Sequence, residues 1–249
     1  MNIGIIGIGV LGKAYSKGFK VWGHKVIPFD INGNYNFMNI LKSEIVFLCV
    51  PSPSKKNGGC DTSIVESVII KLNRLGYKGI ISIASTVEIG FTRKISNKHK
   101  RLNICSVPEL LKERSASKDF IENKIVVVGT DSKKVFNKVK KCFKNKNCLL
   151  VKPEEAEIFK YFNNCYAALR IVFANIFYEI SKKNKSDYKK IKDIYVSTGK
   201  AVDMYLNVNN ELRGFAGMCL PKDVNAIKHY MKKNKINFDL IKYIDLDNK

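Results

Sequence analysis

Three glycines near the start of the chain have the spacing of a phosphate-binding turn. Gly7, Gly9 and Gly12 follow the apolar run Asn2–Ile6 and precede residues with apolar side chains at helical spacing. In a strand–turn–helix, the first glycine allows the tight turn, the second lets backbone approach a pyrophosphate, and the third permits close helix–strand packing. The N–H groups at the helix N-terminus then favour the negative charge of the phosphates. The spacing predicts a dinucleotide-binding loop.

An acidic residue follows this loop at the distance expected for a ribose ligand. Asp30 lies close to the offset of about 20 residues after the last glycine. A carboxylate there accepts hydrogen bonds from ribose hydroxyls and repels a 2′-phosphate, so NAD is favoured over NADP. The alternative is that Asp30 only begins the turn Asp30–Gly33. With the glycine loop beside it, Asp30 predicts NAD as the cofactor.

A segment near the C-terminus, GFAGMCLPKD, places a cysteine among residues that can activate it. Cys219 follows glycine-rich backbone and precedes Lys222 and Asp223, a cation and a carboxylate. Such surroundings favour a thiolate and stabilise an oxyanion. The segment indicates covalent chemistry at Cys219.

The other cysteines give no sign of a metal or dithiol centre. The chain has seven cysteines and no CxxC pair. Since no basic leader precedes the apolar N-terminus, we expect free thiols in a cytoplasmic protein, most of them buried as small apolar residues. We expect no bound metal.

An alternation of strands and helices must position these residues. The predicted strands are Asn2–Ile6, Lys25–Asp30, Ile45–Val50, Gly79–Ser82, Asn103–Val107, Lys124–Val128 and Cys148–Val151. The predicted helices between them are Gly12–Val21, Thr62–Leu75, Glu88–Lys98 and Lys133–Phe143. This rhythm predicts an α/β fold, a Rossmann-type doubly wound parallel sheet with helices on both faces. Three polar loops, Val50–Ser54, Ser85–Gly90 and Pro108–Glu113, follow predicted strands, where such a sheet forms its ligand crevice.

The rhythm changes after Pro153. Proline followed by two acids is a favourable helix start, and a long helical pattern then runs to about Lys183. Shorter helices are predicted at Tyr188–Thr198, Asp223–Lys233 and Phe238–Ile244. We therefore expect two domains, a Rossmann domain at 1–152 and an all-α domain with a long central helix at 153–249.

The net charge of +22 raises the question of a nucleic-acid partner. The excess is mostly lysine spread along the chain, which indicates a general compositional bias and not a binding face. The positive field still attracts anionic substrates and cofactors. No apolar stretch approaches the length of a membrane span. We expect neither a nucleic-acid nor a membrane partner.

Together these segments resemble the UDP-glucose/GDP-mannose dehydrogenase family, in the family's own order. The matching segments are the cofactor loop Gly7–Gly12, Val50–Pro53 (VPTP), Ser85–Val87 (STV), Pro108–Leu111 (PEFL), Ala156–Asn164 with its lysine and asparagine, and CLPKD at Cys219–Asp223. The resemblance implies NAD-dependent oxidation of a nucleotide sugar, with UDP-glucose converted to UDP-glucuronate for polysaccharide biosynthesis. It also implies a homodimer formed through the long central helix.

The family chemistry is a four-electron oxidation of a primary alcohol with two NAD. Cys219 would trap the intermediate aldehyde as a thiohemiacetal, which is oxidised to a thioester and hydrolysed. Lys160 and Asn164 would donate to the developing oxyanion, and Asp223 would orient or activate water. Glu109 would serve sugar binding and base catalysis.

The resemblance also implies a set of binding residues. The implied cofactor-binding residues are Gly7, Gly9, Leu11, Gly12, Asp30, Pro51, Ser52, Thr86, Glu113 and Lys222. Thr86 would hold a water or contact the cofactor, and Glu109 and Glu113 together would serve sugar binding, base catalysis and hydrolysis of the thioester. The implied substrate-binding residues are Glu109, Leu110, Lys160, Asn164, Asn209, Asn210 and Gly217.

The sequence departs from the family pattern in three places. Ala216 stands where the family has glycine, so its methyl group is expected to crowd the backbone near the sugar. The segment Asn209–Arg213 resembles the family's substrate loop only in its asparagines. The chain also ends soon after Asp223, so we expect the family's C-terminal nucleotide-sugar-binding domain to be missing. Two alternatives stay open, a two-electron β-hydroxyacid-type dehydrogenase and a non-catalytic NAD-binding module.

Overall fold

The computed structural model describes residues 1–248, and its internal contacts divide the chain into two compact units. The first comprises Met1–Pro53 and Cys60–Lys160. The second comprises Ser54–Gly59 and the chain from Tyr161 onward. The expected domain boundary between residues 152 and 153 stays a prediction.

Within residues 1–248 the first unit holds one sheet of seven strands, ordered β2-β1-β3-β4-β5-β6-β7. The strands are β1 (Asn2–Ile6), β2 (Lys25–Phe29), β3 (Ile45–Leu48), β4 (Ile80–Ile83), β5 (Asn103–Ser106), β6 (Ile125–Gly129) and β7 (Asn147–Val151). The strand order reverses between β1 and β3, which is where an open α/β sheet forms its ligand crevice.

The sheet is parallel except at one pair. β6 runs antiparallel to β5, with Ser106 opposite Gly129, while the other neighbouring strands are parallel. β6 therefore starts at the edge where β5 ends, and the connection between them does not cross the sheet. The predicted doubly wound α/β fold is confirmed, with the last two strands, β6 and β7, running opposite to the other five.

Helices cover both faces of the sheet because consecutive strand residues point to opposite sides. The helices of this unit are α1 (Val10–Val21), α2 (Ser63–Arg74), α3 (Phe91–Lys98), α4 (Ala116–Glu122) and α5 (Lys133–Lys140). On one face Ile5 packs in a core with Phe19 of α1, and on the other Ile6 packs in a core with Ile69 of α2. The 3₁₀ helices Phe37–Lys42 and Glu113–Ser115 and the short α4 were not predicted.

The regular structure described in the second unit is helical, as predicted. The helices are α6 (Pro153–Lys183), which begins in the first unit, then α7 (Tyr188–Ser197), α8 (Leu220–Lys233) and α9 (Leu240–Leu246). Ala168 and Val172 of α6 form a small apolar core with Val224 of α8 and Ile244 of α9. This core fixes the helix that begins directly after Cys219. Across residues 1–248, no helix combines the length and apolar character needed to cross a membrane.

Candidate active site

The glycine loop after β1 has the geometry that the sequence predicts. Gly7 has a φ of +92°, and a methyl group on it would lie 2.6 Å from the carbonyl oxygen of Cys49 after β3. A methyl group on Gly12 would lie 1.9 Å from the carbonyl oxygen of Gly7. Both positions therefore require glycine, the first for its backbone conformation and the second for close packing of α1 on the turn.

Gly9 has a different role in the same loop. It precedes α1, and a Cβ built on it would meet no other protein atom within 4 Å. The first turn of α1 has neither an acidic residue nor a side-chain cap. Its N–H groups are thus suited to an anionic ligand that approaches closely. The loop therefore fits the pyrophosphate of a dinucleotide.

Asp30 lies directly after β2 and is tied to the glycine loop. Its carboxylate accepts hydrogen bonds from the backbone N–H of Ile8 at 2.6 Å and of Asn32 at 2.9 Å. The bonds from Asn32 and Ile8 hold the pKa of Asp30 below its ordinary value. The residue thus begins a turn and also presents an ionised carboxylate beside the loop, where the ribose of NAD is expected.

The loops after β3 and β4 are joined by Ser85, a residue of the STV motif for which the sequence predicts no role of its own. The Ser85 hydroxyl donates to the carbonyl oxygens of Val50, at 2.7 Å, and Leu48, at 3.1 Å. The carbonyl oxygen of Thr86 lies 3.4 Å from Cys60 Sγ. Ser85 therefore keeps the two loops together at the crevice edge of the sheet.

The predicted residues in these loops differ in exposure. Pro51 is exposed, Ser52 is buried, and Thr86 is half-buried. Leu11, in the first turn of α1, is half-buried. The side chains of Thr86 and Leu11 are therefore partly accessible to a ligand.

Glu109 lies beyond the end of β5 in an unusual environment for a carboxyl group. The Tyr15 hydroxyl of α1 donates to its Oε1 at 3.0 Å. Burial raises the pKa of Glu109 to about 7, while the Tyr15 hydrogen bond, Lys146 and Lys160 oppose this rise. A carboxyl group that ionises near neutral pH is suited to act as a general base.

Glu109 and Glu113 do not share a helix face. Glu109 and the half-buried Leu110 lie in irregular backbone, whereas Glu113 begins a 3₁₀ helix and is exposed. The structure therefore gives the two glutamates different surroundings, although they are four residues apart.

Lys160 lies on α6 one turn after a buried glutamate, Glu157, which ties this helix to the start of α3. Glu157 accepts hydrogen bonds from the backbone N–H of Gly90, at 2.5 Å, and Thr92, at 2.8 Å, which caps the start of α3. Burial raises the pKa of Glu157. Lys160 Nζ donates to the carbonyl oxygen of Glu109 at 2.7 Å. The sequence places Glu157 only within the Ala156–Asn164 motif, because its capping role depends on contacts with residues distant in the chain.

Within the second unit, Cys219 is accessible and adjoins a buried polar cluster. Cys219 is exposed, in contrast to the other six cysteines, and it immediately precedes α8. Asp223, in the first turn of α8, is fully buried. Its carboxylate accepts from Asn164 Nδ2 at 2.6 Å and from Lys222 Nζ at 2.8 Å. The structure therefore brings Asn164 and Lys222 together on the carboxylate of Asp223, and the roles predicted for these three residues stay predictions.

The glycine-rich segment before Cys219 accommodates its alanine. φ is positive at Gly214 (+59°) and Gly217 (+81°) but not at Ala216. Ala216 is exposed, so its methyl group does not force an unfavourable backbone conformation on the loop. The crowding that the sequence suggests concerns only the approach of a ligand.

The asparagines upstream make local contacts. Asn209 Oδ1 accepts from the backbone N–H of Glu211, at 2.9 Å, and Leu212, at 2.7 Å. Asn210 Oδ1 accepts from the Tyr178 hydroxyl of α6 at 2.8 Å. Both asparagines shape the loop itself, and their role toward a substrate stays a prediction. Among residues 1–248 there is no group of three or more His, Cys, Asp or Glu side chains placed to hold a metal ion.

Solved structures with this fold include dehydrogenases of two kinds. A UDP-glucose dehydrogenase of Pyrobaculum islandicum aligns with a TM-score of 0.89 and 21% identity, covering 99% of this chain and 67% of that one. A 3-hydroxyisobutyrate dehydrogenase of Mycobacterium tuberculosis aligns with a TM-score of 0.74 and 13% identity, covering 98% of this chain and 91% of that one. At these identities the likeness concerns the fold.

Sequence comparison distinguishes between these two kinds. A UDP-glucose 6-dehydrogenase of Rickettsia prowazekii is 28% identical over 228 residues, which cover 86% of this chain and 52% of that protein. The chain thus spans about half the length of this relative. Residues 33–147 match the NAD-binding domain of the UDP-glucose/GDP-mannose dehydrogenase family, and residues 154–249 match its central domain. With the glycine loop, Asp30 and the Cys219 segment in place, the chain belongs to the UDP-glucose/GDP-mannose dehydrogenase family.

Proposed function

We propose that this chain oxidises a nucleotide sugar at C6 in an NAD-dependent reaction, with UDP-glucose as the substrate. The observation that carries the proposal is the exposed thiol of Cys219, directly before α8. One turn further along the chain lies Asp223, which is buried and accepts a hydrogen bond from Asn164 of α6. A nucleophile next to a fixed polar cluster is the arrangement that covalent catalysis requires.

The proposed reaction converts a primary alcohol and water into a carboxylate. The oxidant would be two NAD molecules, held in turn by the glycine loop and Asp30, each of which would take up one hydride. Glu109 takes the proton from the alcohol in the first oxidation, because its pKa of about 7 leaves part of it ionised at neutral pH. The product of this step is an aldehyde.

Cys219 retains the aldehyde. Its thiolate adds to the carbonyl carbon, the C=O π electrons move to oxygen, and protonation gives a thiohemiacetal. Loss of a second hydride together with the hydroxyl proton gives a thioester, and water then cleaves the C–S bond to release the acid and the thiol. Lys160 and Asn164 are proposed to donate to the oxyanion in these steps, and Asp223 to order the water.

The stoichiometry of NADH tests this proposal. Purified protein is incubated with NAD and a panel of UDP- and GDP-sugars, and both NADH and sugar acid are measured. The expected result is two NADH and one acid per sugar. Cys219→Ala is expected to abolish acid formation, while Met218→Ala, which alters the neighbouring exposed side chain, keeps the stoichiometry of two.

Two alternatives predict other outcomes. A two-electron dehydrogenase, favoured by its shared fold and similar length, would give one NADH per substrate and tolerate Cys219→Ala. A non-catalytic NAD-binding module would bind NAD without forming NADH from any sugar. Either result would overturn the proposed reaction.

The assembly and setting are proposed as well. α6 carries an exposed apolar stripe at Phe162, Tyr166, Phe173, Phe177 and Ile180. These residues recur at helical spacing, so they lie along one face of the helix. We propose that the stripe forms the contact of a homodimer. The seven free cysteines support a reducing cytoplasmic setting, and a sugar acid product suits polysaccharide biosynthesis.

A further inference from the structure

Tyr15 of α1 is a phenol enclosed by aromatic rings. Its side chain is fully buried, and its ring centroid lies 4.4 Å from that of Phe120, 5.1 Å from Phe47 and 5.5 Å from Phe19. Gly18, one turn later on α1, makes room for Phe120, since a methyl group there would lie 2.2 Å from its ring. Neighbours from α1, β3 and α4 therefore fix the orientation of the tyrosine ring.

The hydroxyl of this fixed ring points to the end of β5. It lies 3.0 Å from Glu109 Oε1 and 3.5 Å from the carbonyl oxygen of Val107. An unpaired hydroxyl in an apolar core is unfavourable, so the phenol needs these acceptors. The Glu109 carboxyl group in turn has a hydrogen-bond donor, the Tyr15 hydroxyl, that the surrounding rings hold in place. Tyr15 and Glu109 are 94 residues apart in sequence, so the pair exists only through the fold.

We propose that Tyr15 is the positioning residue for Glu109, holding its carboxylate in one orientation and favouring the ionised form. The functional part of this inference rests on the proposed role of Glu109 as the base. The hydrogen bond itself can be tested whether or not the protein oxidises a sugar.

The charged and titratable groups around Glu109 define what Tyr15 contributes. Lys146, which precedes β7, and Lys160 of α6 favour its charged form, as does the Tyr15 hydrogen bond. Cys49, after β3, stays a neutral thiol because burial and Glu109 raise its pKa. Burial of the carboxyl opposes ionisation, and the balance gives Glu109 a pKa of about 7. Without the phenol this balance shifts toward the protonated acid.

Removing the Tyr15 hydroxyl takes away a hydrogen bond that stabilises the charged form of Glu109. A hydrogen bond to a charged group is worth about 1.5–3 kcal/mol, which corresponds to about one to two pH units. Tyr15→Phe keeps the ring and removes only the hydroxyl. We expect it to raise the pKa of Glu109 by that amount, so that a smaller fraction of the base is ionised at neutral pH.

The direct test is a carbon NMR titration of protein labelled at the glutamate carboxyl. The Glu109 signal is assigned by its loss in Glu109→Gln, and its midpoint is compared in wild type and Tyr15→Phe. Tyr77→Phe serves as the matched control, because Tyr77 is also a buried tyrosine whose hydroxyl bonds the carbonyl of Ile80. An upward shift confined to Tyr15→Phe supports the proposal. An unchanged midpoint overturns it.

A second measurement keeps Tyr15 in place, so the packing around its ring is unchanged. The ring carbon bearing the Tyr15 hydroxyl is labelled and its chemical shift is followed with pH. It should report a transition with a midpoint of about 7 and lose that transition in Glu109→Gln. Absence of the transition in wild type overturns the proposal even if Tyr15→Phe does not fold.

Activity gives the functional arm of the test. If the protein forms NADH, the acidic limb of its kcat profile should move to higher pH in Tyr15→Phe by the same amount as the NMR midpoint. An NMR shift without any activity in wild type would refute the proposed function and leave the Tyr15–Glu109 pairing intact. An NMR shift with an unmoved acidic limb would refute the role of Glu109 as base.

Discussion

At the scale of single residues, the cysteines separate into two classes by exposure. Six of the seven are buried, and burial raises the pKa of those at Cys49, Cys105, Cys142, Cys148 and Cys165. Buried thiols in apolar surroundings react slowly because the thiolate is disfavoured and reagents cannot reach it. Cys219 alone among them is exposed. The cysteine that the sequence motif indicates is therefore the one accessible to a reagent, and its catalytic role stays a proposal.

Alkylation of the folded protein tests this separation. Brief treatment with iodoacetamide is expected to add one group per chain, at Cys219, because the other thiols are inaccessible. Intact-protein mass spectrometry and peptide mapping identify the site. Cys219→Ala should remain unmodified when folded, and denatured wild type should take up seven groups. Comparable labelling of any second cysteine in the folded state would contradict the assignment.

At the scale of elements, local sequence was sufficient where a segment carries its own signals. α6 occupies Pro153–Lys183 as predicted, because proline and acids mark its start and apolar residues recur along it. β3 and β4 are predictable from the sequence because each is a short, mostly apolar run, as expected for a strand buried on both faces. The predicted and observed first residue of β3 coincide, and the other three ends differ by one or two residues.

Other elements depend on the rest of the fold. β6 is a run of Ile and Val that would fit a parallel or an antiparallel strand equally well. Its own sequence therefore does not predict the antiparallel pairing with β5. α4 has only seven residues, too few for a helical pattern to stand out. The same difference between local and long-range signals decides which parts of the candidate site the sequence can predict. The Cys219 segment and the glycine loop are local motifs, whereas Tyr15–Glu109 and Glu157–Gly90 join residues far apart in the chain.

The cap formed by Glu157 gives a prediction at this scale. Glu157→Ala leaves the N–H groups of Gly90 and Thr92 at the start of α3 without their acceptor. The expected loss is about 1–3 kcal/mol in the free energy of unfolding, measured by urea denaturation. Glu154→Gln is the control, because Glu154 pairs with Arg93 in a partly exposed contact worth less than about 1 kcal/mol. Equal losses in the two variants would show that the cap does not hold α3.

At the scale of the whole molecule, two features bear on what the chain can bind. Its net charge of +22 favours the approach of anionic cofactors and nucleotide sugars. The exposed apolar stripe on α6 supports the proposed dimer, since single exposed apolar residues are common but several along one helix face suit an interaction surface. The rings of Phe173 and Phe177 lie 4.7 Å apart within this row.

The stripe predicts the oligomeric state. A second copy of the chain that packs its own α6 against this face would bury both stripes, and a two-fold contact satisfies both copies at once. Sedimentation equilibrium is therefore expected to give twice the chain mass of 28.3 kDa. Phe173→Glu places a charge in the centre of the stripe and should yield a monomer, because an unpaired charge in an apolar contact is strongly unfavourable. Ile194→Glu, at an exposed apolar position on α7, should remain a dimer. A monomeric wild type, or a Phe173→Glu variant that stays dimeric, would exclude α6 as the contact.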